Sequence, residues 1–116
     1  MVTLEMLDKW GANTREGLMR CAYNESFYLS LVRKVIWDAR FDAMDKQLRK
    51  GDLEAARQTA SALVETAGNL SLTLLVEKLE TLIRKIDTGS GATELVSAFR
   101  DALKCLEYAR EMDRKE

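Results

Sequence analysis

Arg57, Ser61 and Glu65 are polar side chains spaced four residues apart in the chain. Residues four apart share a helix face, so Arg57, Ser61 and Glu65 would lie together on a helix. A serine hydroxyl becomes a nucleophile only when a base removes its proton, and a carboxylate is a weak base for an alcohol. Val64 and Gln58 border the same face and are not bases, and the chain contains no histidine. The sequence therefore predicts an exposed serine that does not act as a nucleophile.

Cysteine and acidic side chains do not form the pattern of a metal or redox site. Cys21 and Cys105 are far apart and have no histidine or second cysteine nearby, so we expect two small core residues in a reducing compartment. Asp38, Asp42 and Asp45 share part of one helix surface, but the Glu-x-x-His motif of di-iron bundles is absent. We expect solvent-exposed carboxylates there, with neither a cofactor nor a metal.

Composition and charge are those of a small globular protein. A chain of 116 residues suits one domain, 1–116, with a single core. Its 18 basic and 19 acidic residues leave no bulk field that would attract nucleic acid or an anionic membrane. The chain has no apolar run of the roughly 20 residues that a membrane helix needs, and its N-terminus lacks the signal-peptide pattern. We expect a cytoplasmic protein with no nucleic-acid or membrane partner.

Good helix formers dominate the chain and proline is absent, which predicts an all-α fold. Short helices are expected within residues 3–22. Apolar spacing predicts four long amphipathic helices, at about 25–49, 53–67, 71–86 and 93–112. Gly51 would end the first of these and Gly68 would be the C′ glycine of the second, while residues 113–116 would fray. Short connections between such helices favour an antiparallel up-and-down four-helix bundle.

The aromatic residues have two possible uses. They could mark a partner surface, because aromatic side chains concentrate at binding hot spots. We favour packing of the short N-terminal helices onto the bundle, because aromatic side chains bury large apolar areas. The residues concerned are Trp10, Tyr23, Tyr28, Trp37 and Tyr108.

Residues 60–72 read Ala-Ser-Ala-Leu-Val-Glu-Thr-Ala-Gly-Asn-Leu-Ser-Leu. This segment resembles the phosphoacceptor helix of histidine phosphotransfer (HPt) domains, which usually show Ala-His-x-Leu-Lys-Gly, a few small residues, and then Asn-Leu-Gly and an apolar residue. The positions that fit this frame are Ala60, Leu63, Ala67, Gly68, Asn69, Leu70 and Leu72. The usual His, Lys, Gly and Gly are replaced by Ser61, Val64, Glu65 and Ser71.

The resemblance implies an HPt-like bundle that has lost phosphotransfer. In the family, the histidine accepts a phosphoryl group and passes it on, whereas a serine phosphate ester is too stable for relay. We therefore expect a pseudo-HPt module of bacterial two-component signalling that binds a response-regulator receiver domain or a histidine kinase. The expected partner-contacting residues are Arg57, Gln58, Ser61, Val64 and Glu65. Gly68 and Asn69 would shape the helix junction.

Two of the replacements should weaken docking. Glu65 adds bulk and a negative charge where the family has glycine, and Val64 removes the positive charge of the usual lysine. Receivers present an acidic pocket at their docking site, and two like charges about 4 Å apart cost roughly 1 kcal/mol in water. Docking should therefore be weaker than in a true HPt domain, unless Arg57 pairs with Glu65 or Val64 adds apolar contact.

A structural or oligomerising helical bundle, including a fragment of a larger signalling protein, is the competing interpretation. The residues around Ser61 would then be an ordinary solvated helix face. A largest exposed apolar patch away from Ser61 would favour this alternative. An enzyme is not expected, because the sequence shows no nucleophile paired with a base, no metal-ligand set and no phosphate-binding glycine loop.

Overall fold

Helices and short turns make up the computed structural model, which describes residues 1–115. The seven helices are α1 (Leu4–Trp10), α2 (Thr14–Arg20), α3 (Glu25–Ile36), α4 (Arg40–Arg49), α5 (Leu53–Asn69), α6 (Thr73–Asp87) and α7 (Ala92–Arg114). Residues 1–115 contain no strand, so the prediction of an all-α fold is confirmed. Over the same range, no helix combines the length and the apolar content needed to cross a membrane.

Helices α4 to α7 run alternately in opposite directions. Thr59 near the start of α5 donates to Gln47 near the end of α4 at 2.8 Å, and Arg40 at the start of α4 reaches Thr66 near the end of α5. Arg57 on α5 likewise meets Asp87, the last residue of α6. The connection from α6 to α7 spans residues 88–91 only, so these two helices turn back on each other. Helix α5 therefore lies between α4 and α6.

The core is formed by the apolar stripes of these helices. In α5 the buried positions are Ala56, Ala60, Leu63 and Ala67, as the spacing predicts. In α6 the fully buried side chains are Leu75, Leu79 and Leu82. Burying each such leucine stabilises the fold by about 1.5–3 kcal/mol. Cys21 and Cys105 are buried as well, which confirms that they are core residues.

The short N-terminal helices pack onto the rest of the protein. The indole Nε1 of Trp10 donates to the carbonyl oxygen of Cys105 at 3.0 Å. The ring of Tyr28 on α3 lies against Gly17 of α2, and its hydroxyl donates to the carbonyl oxygen of Leu70 at 2.9 Å. The predicted packing role is thus confirmed for Trp10 and Tyr28. It is wrong for Tyr23 and Tyr108, which remain mostly exposed. Trp37 is 44% exposed and donates its indole N–H to Asp113.

The predicted helix 25–49 is wrong, because residues 37–39 interrupt it. The carboxylate of Asp38 accepts from the backbone N–H of Arg40, the first residue of α4, at 2.8 Å and so satisfies a donor at the start of that helix. The guanidinium of Arg110 on α7 donates to the carbonyl oxygen of Ile36 at 2.7 Å and so satisfies an acceptor at the end of α3. A continuous apolar pattern could not reveal this break, because a residue far along the chain stabilises it.

The prediction that Gly68 is the C′ glycine of the second long helix is wrong. Helix α5 continues through Gly68 to Asn69, and the residue with left-handed backbone is Ser71, at φ 56°. The N–H of Ser71 donates to Gly68 at 3.0 Å and the N–H of Leu72 donates to Ala67 at 3.1 Å, which is the Schellman pattern with Ser71 at C′. This geometry buries both flanking leucines, Leu70 and Leu72.

The prediction that residues 113–116 fray is wrong for Asp113. The residue is 9% exposed, and its carboxylate accepts from the Val2 N–H at 3.2 Å and from Trp37 Nε1 at 2.8 Å. Arg33 pairs with the same carboxylate at 3.1 Å. These partners join the N-terminal segment and the α3–α4 break to the end of α7, which extends to Arg114. Glu116 lies outside the described residues.

The remaining boundaries differ from the predictions by one or two residues. Helices α6 and α7 are predicted at 71–86 and 93–112 and are observed at Thr73–Asp87 and Ala92–Arg114. Such shifts are ordinary at helix ends, where the hydrogen-bond pattern is incomplete.

Candidate functional site

The middle of α5 presents the predicted contact residues on its outer side. We call Arg57, Gln58, Ser61, Val64 and Glu65 the Ser61 face. All of them are exposed except Val64, which is half-buried. The pattern follows from the 3.6-residue repeat, since Ala60 and Leu63 turn the other side of α5 into the core. The helix therefore holds Ser61 in the open, in reach of a partner.

The Ser61 hydroxyl has no activating neighbour. It makes no hydrogen bond with any of the residues 1–115, and no histidine exists in the chain to act as its base. Without a base the hydroxyl keeps its proton near neutral pH. The geometry thus permits contact at Ser61 and offers no route to nucleophilic attack.

Arg57 is committed to Asp87 and not to Glu65. Its Nε and Nη2 atoms lie 2.5 and 3.0 Å from the two carboxylate oxygens of Asp87, in a bidentate pair across α5 and α6. The hydrogen bond from Arg57 lowers the pKa of Asp87 below its usual value. Arg57 therefore does not pair with Glu65, and the pair that could have offset the Glu65 charge is not formed.

Glu65 keeps its negative charge uncompensated on the Ser61 face. It forms no ion pair within the described part of the chain, while the charge of Arg57 is neutralised by Asp87. Val64 supplies no charge. The face consequently presents a local negative charge, which opposes docking at an acidic surface and favours docking at a neutral or basic one.

The predicted junction residues lie at the C-terminal end of the same helix. Gly68 has open space around it, so nothing in its surroundings requires a glycine there. Its carbonyl oxygen accepts from the Arg20 guanidinium at 2.8 Å. Asn69 is exposed and is the last residue of α5. The conformation of the junction is set instead by Ser71, whose left-handed backbone reverses the chain.

Ser71 is a residue whose importance the sequence only hinted at. It is 6% exposed, and its hydroxyl oxygen is buried without a hydrogen-bond partner. A left-handed backbone favours glycine, and the HPt frame has glycine at this position. The presence of serine where the frame has glycine was the sequence signal that pointed to this position.

Sequence reasoning also missed an exposed apolar corner between α2 and α3. Met19, Tyr23 and Phe27 are 55%, 71% and 51% exposed. Arg20 connects this corner to Gly68, which lies seven residues, or about 10 Å along the helix, from Ser61. Tyr23 has φ 59°, an unfavourable backbone conformation for a bulky residue. We call Met19, Tyr23 and Phe27 the apolar corner.

The acidic and thiol groups have structural partners. Among residues 1–115, no three His, Cys, Asp or Glu side chains are grouped as metal ligands. Asp38 pairs with Arg40 at 2.7 Å and Asp45 with Arg49 at 3.0 Å. Burial raises the pKa of the Cys105 thiol to about 11, so the reactive thiolate is scarce at neutral pH.

The described chain thus has two exposed surfaces of different character. The Ser61 face carries a local negative charge around a hydroxyl that is not activated, and the apolar corner exposes three large side chains. Comparisons of the chain with models of known protein families, with curated proteins and with solved structures found no match.

Proposed function

We propose that this chain is a degenerate HPt domain, an antiparallel four-helix bundle with short N-terminal helices, in which the separate helices α3 and α4 take the place of the first long helix. It binds a response-regulator receiver domain or a histidine kinase domain through the Ser61 face and accepts no phosphate. It acts by occupancy, competing in the bacterial cytoplasm with active HPt domains for the same partner. The residue frame of 60–72 supports this proposal.

The backbone of Ser71 is the observation that carries the proposal. The HPt frame calls for glycine at this position, and the backbone there adopts φ 56°, the conformation in which glycine is most favourable. In the same sequence frame Ser61 occupies the position of the histidine, and it is exposed in the middle of α5.

The loss of relay follows from the side chains at and beside the histidine position. Ser61 has no base, and Glu65 brings a carboxylate to the place where a phosphoryl group would approach. Phosphoryl transfer needs positive or neutral surroundings that stabilise the developing negative charge. The face can therefore hold a partner but cannot take its phosphoryl group.

An NMR titration of the labelled chain with unphosphorylated receiver domains tests this proposal. Shifts should cluster at Arg57, Ser61, Val64 and Glu65. Glu65→Lys should tighten binding at least fivefold, because it replaces repulsion of the acidic receiver pocket by attraction. Glu80→Lys, which makes the same charge change at an exposed position of α6, is the matched control. Absence of shifts on the Ser61 face with receivers and kinase domains alike would refute the proposal.

One observation favours the second candidate, an oligomerising bundle. The apolar corner is formed by large exposed side chains outside the Ser61 face, and such patches often mark association surfaces. Sedimentation analysis over a range of concentrations measures self-association directly. A dimer that Tyr23→Asn dissociates, together with silence at the Ser61 face, would establish this alternative. A monomer at all concentrations would exclude it.

A further inference from the structure

We propose that a cleft between α1, α6 and α7 binds an acidic segment of a partner protein that also carries an apolar side chain. We call this site the lysine cleft. Its volume is about 370 Å³, and the residues that matter for the argument are Lys9, Trp10, Leu74, Lys78, Lys104 and Tyr108. Helix α5 contributes nothing to its lining, so this proposal does not depend on the Ser61 face or on the HPt resemblance.

The lysine cleft concentrates positive charge in a chain whose net charge is −1. Neither Lys78 nor Lys104 lies within ion-pair distance of a carboxylate in residues 1–115. Lys9 pairs with Glu5 at 3.2 Å, but both side chains are more than three-quarters exposed, so that pair is weak. Asp101 supplies a single negative charge to the lining. The excess of positive charge is therefore local.

Lys78 is the strongest sign that an anion belongs in the cleft. It is half-buried, and its ammonium lies close enough to Cys105 to lower the pKa of the thiol against the larger effect of burial. A carboxylate in the cleft would accept charge-assisted hydrogen bonds from Lys78 and Lys104, which form no ion pair among residues 1–115. The site is thus complementary to an acidic ligand.

The floor of the cleft is apolar and firmly built. Trp10 is 6% exposed and is fixed by its hydrogen bond to Cys105. The N–H of Leu74 donates to the carbonyl oxygen of Gly11 at 3.1 Å, which holds the end of α1 against the start of α6. Little reorganisation is needed before binding, so little affinity is lost to ordering.

The shape of the cleft favours a protein segment over a small molecule. Small-molecule sites enclose most of their ligand, whereas this cleft is a shallow depression bordered by three helices. Tyr108, 63% exposed at its rim, is a residue type enriched at protein-binding hot spots. An apolar side chain would contact Trp10 and Leu74, while flanking carboxylates would meet Lys78 and Lys104.

The experiment follows the indole N–H signal of Trp10 in the labelled full chain. The probe is the blocked peptide Glu-Glu-Phe-Glu-Glu, compared with Lys-Lys-Phe-Lys-Lys and with Glu-Glu-Gly-Glu-Glu. We expect the first peptide alone to shift Trp10 strongly, with an affinity that falls as salt is added. Removing its phenyl ring should weaken binding at least threefold.

Two double variants test which lysine charges bind the acidic peptide. Lys78→Gln with Lys104→Gln should weaken binding at least tenfold. Lys34→Gln with Lys46→Gln removes the same charge from exposed lysines on α3 and α4 and should change affinity less than twofold. If the first double variant does not fold, Lys104→Glu alone, at an exposed position, should still weaken binding at least fivefold.

Three results would overturn the proposal. Equal losses in the two double variants would show that only the overall charge matters. No shift of Trp10 at millimolar acidic peptide would show that the cleft binds no such segment. A stronger response to ATP than to the peptide would identify a small anion as the ligand. Each result leaves the proposal for the Ser61 face unaffected, because that face is measured with different probes.

Discussion

Single residues decide what the α5 region can do. On the proposed HPt alignment, Ser61 stands where the nucleophilic histidine would be, and Glu65 is an uncompensated charge beside it. Ser71 has a left-handed backbone and a buried hydroxyl without a hydrogen-bond partner. Substitutions at positions 61 and 65 test the proposed function, and a substitution at position 71 tests stability.

If the proposed HPt alignment is right, introducing the HPt residues at positions 61, 64 and 65 should confer phosphate acceptance only in combination. Ser61→His alone should accept little phosphoryl group from a phosphorylated receiver, because Glu65 still repels the donor. Ser61→His with Val64→Lys and Glu65→Gly should gain at least tenfold in acid-labile phosphate, measured with radiolabelled receiver. Ser97→His, on an exposed position of α7, is the control and should gain none. Equal labelling of Ser97→His would show that phosphate acceptance does not depend on position 61.

Ser71→Gly should stabilise the protein by about 1 kcal/mol. The substitution relieves the left-handed strain and removes a buried hydroxyl without a partner, and these gains exceed the added entropy of the unfolded chain. Urea unfolding measures the change. Ser97→Gly, in the regular helix α7, should instead cost about 0.5 kcal/mol. If Ser71→Gly instead lowered the free energy of unfolding, the Ser71 hydroxyl would have to stabilise the folded protein.

At the scale of elements, the ends of helices are fixed by contacts with distant parts of the chain. The break between α3 and α4 is stabilised by Arg110, whose guanidinium also lies 5.2 Å from the ring centre of Trp37. The end of α7 is held by the contacts of Asp113. These contacts join the N-terminal segment, α3, α4 and α7 into one cluster.

Asp113→Asn should destabilise the protein by about 1.5–3 kcal/mol at neutral pH, since it weakens buried hydrogen bonds to a charged acceptor. Burial alone raises the pKa of Asp113, but the hydrogen bonds from Trp37, Val2 and Arg33 outweigh it and lower the pKa. A lowered folded-state pKa means that the contribution is complete above the unfolded value, near 3.9, and is lost as the pH falls through the folded value.

Unfolding measured between pH 2 and pH 7 checks this prediction. The difference in stability between the original chain and Asp113→Asn should be largest near neutral pH and should shrink in acid. Asp42→Asn, at an exposed position of α4 outside any ion pair in residues 1–115, is the control and should change stability by less than about 0.5 kcal/mol. A difference that does not depend on pH would contradict the assignment to a carboxylate.

At the scale of the whole molecule, the N-terminal helices complete the core and form one wall of the lysine cleft. Gly11 allows this docking, because a Cβ atom there would lie 2.7 Å from Cβ of Leu74. Its φ of 120° adds a second requirement for glycine. A side chain at position 11 would therefore disturb both the packing of α1 and the lysine cleft.

Gly11→Ala should lower stability by about 2 kcal/mol or more, through backbone strain and the clash with Leu74. Displacement of α1 should expose Trp10, and its indole fluorescence should shift to longer wavelength. Gly91→Ala, at the N-cap of α7 where a Cβ meets nothing within 4 Å, is the control; it should cost less than about 1 kcal/mol and leave the fluorescence unchanged. An unaltered Trp10 environment in Gly11→Ala would show that α1 is not held at this contact.

The sequence by itself determined the helical class, most helix positions and the exposure of Ser61, because these follow from the local 3.6-residue repeat of apolar side chains. It also marked Ser71 as an unusual residue within the 60–72 frame. Only the tertiary structure decided the break at residues 37–39, the burial of Asp113, the pairing of Arg57 with Asp87 and the lysine cleft. Each of these depends on side chains from different helices, and local periodicity carries no information about which helices meet.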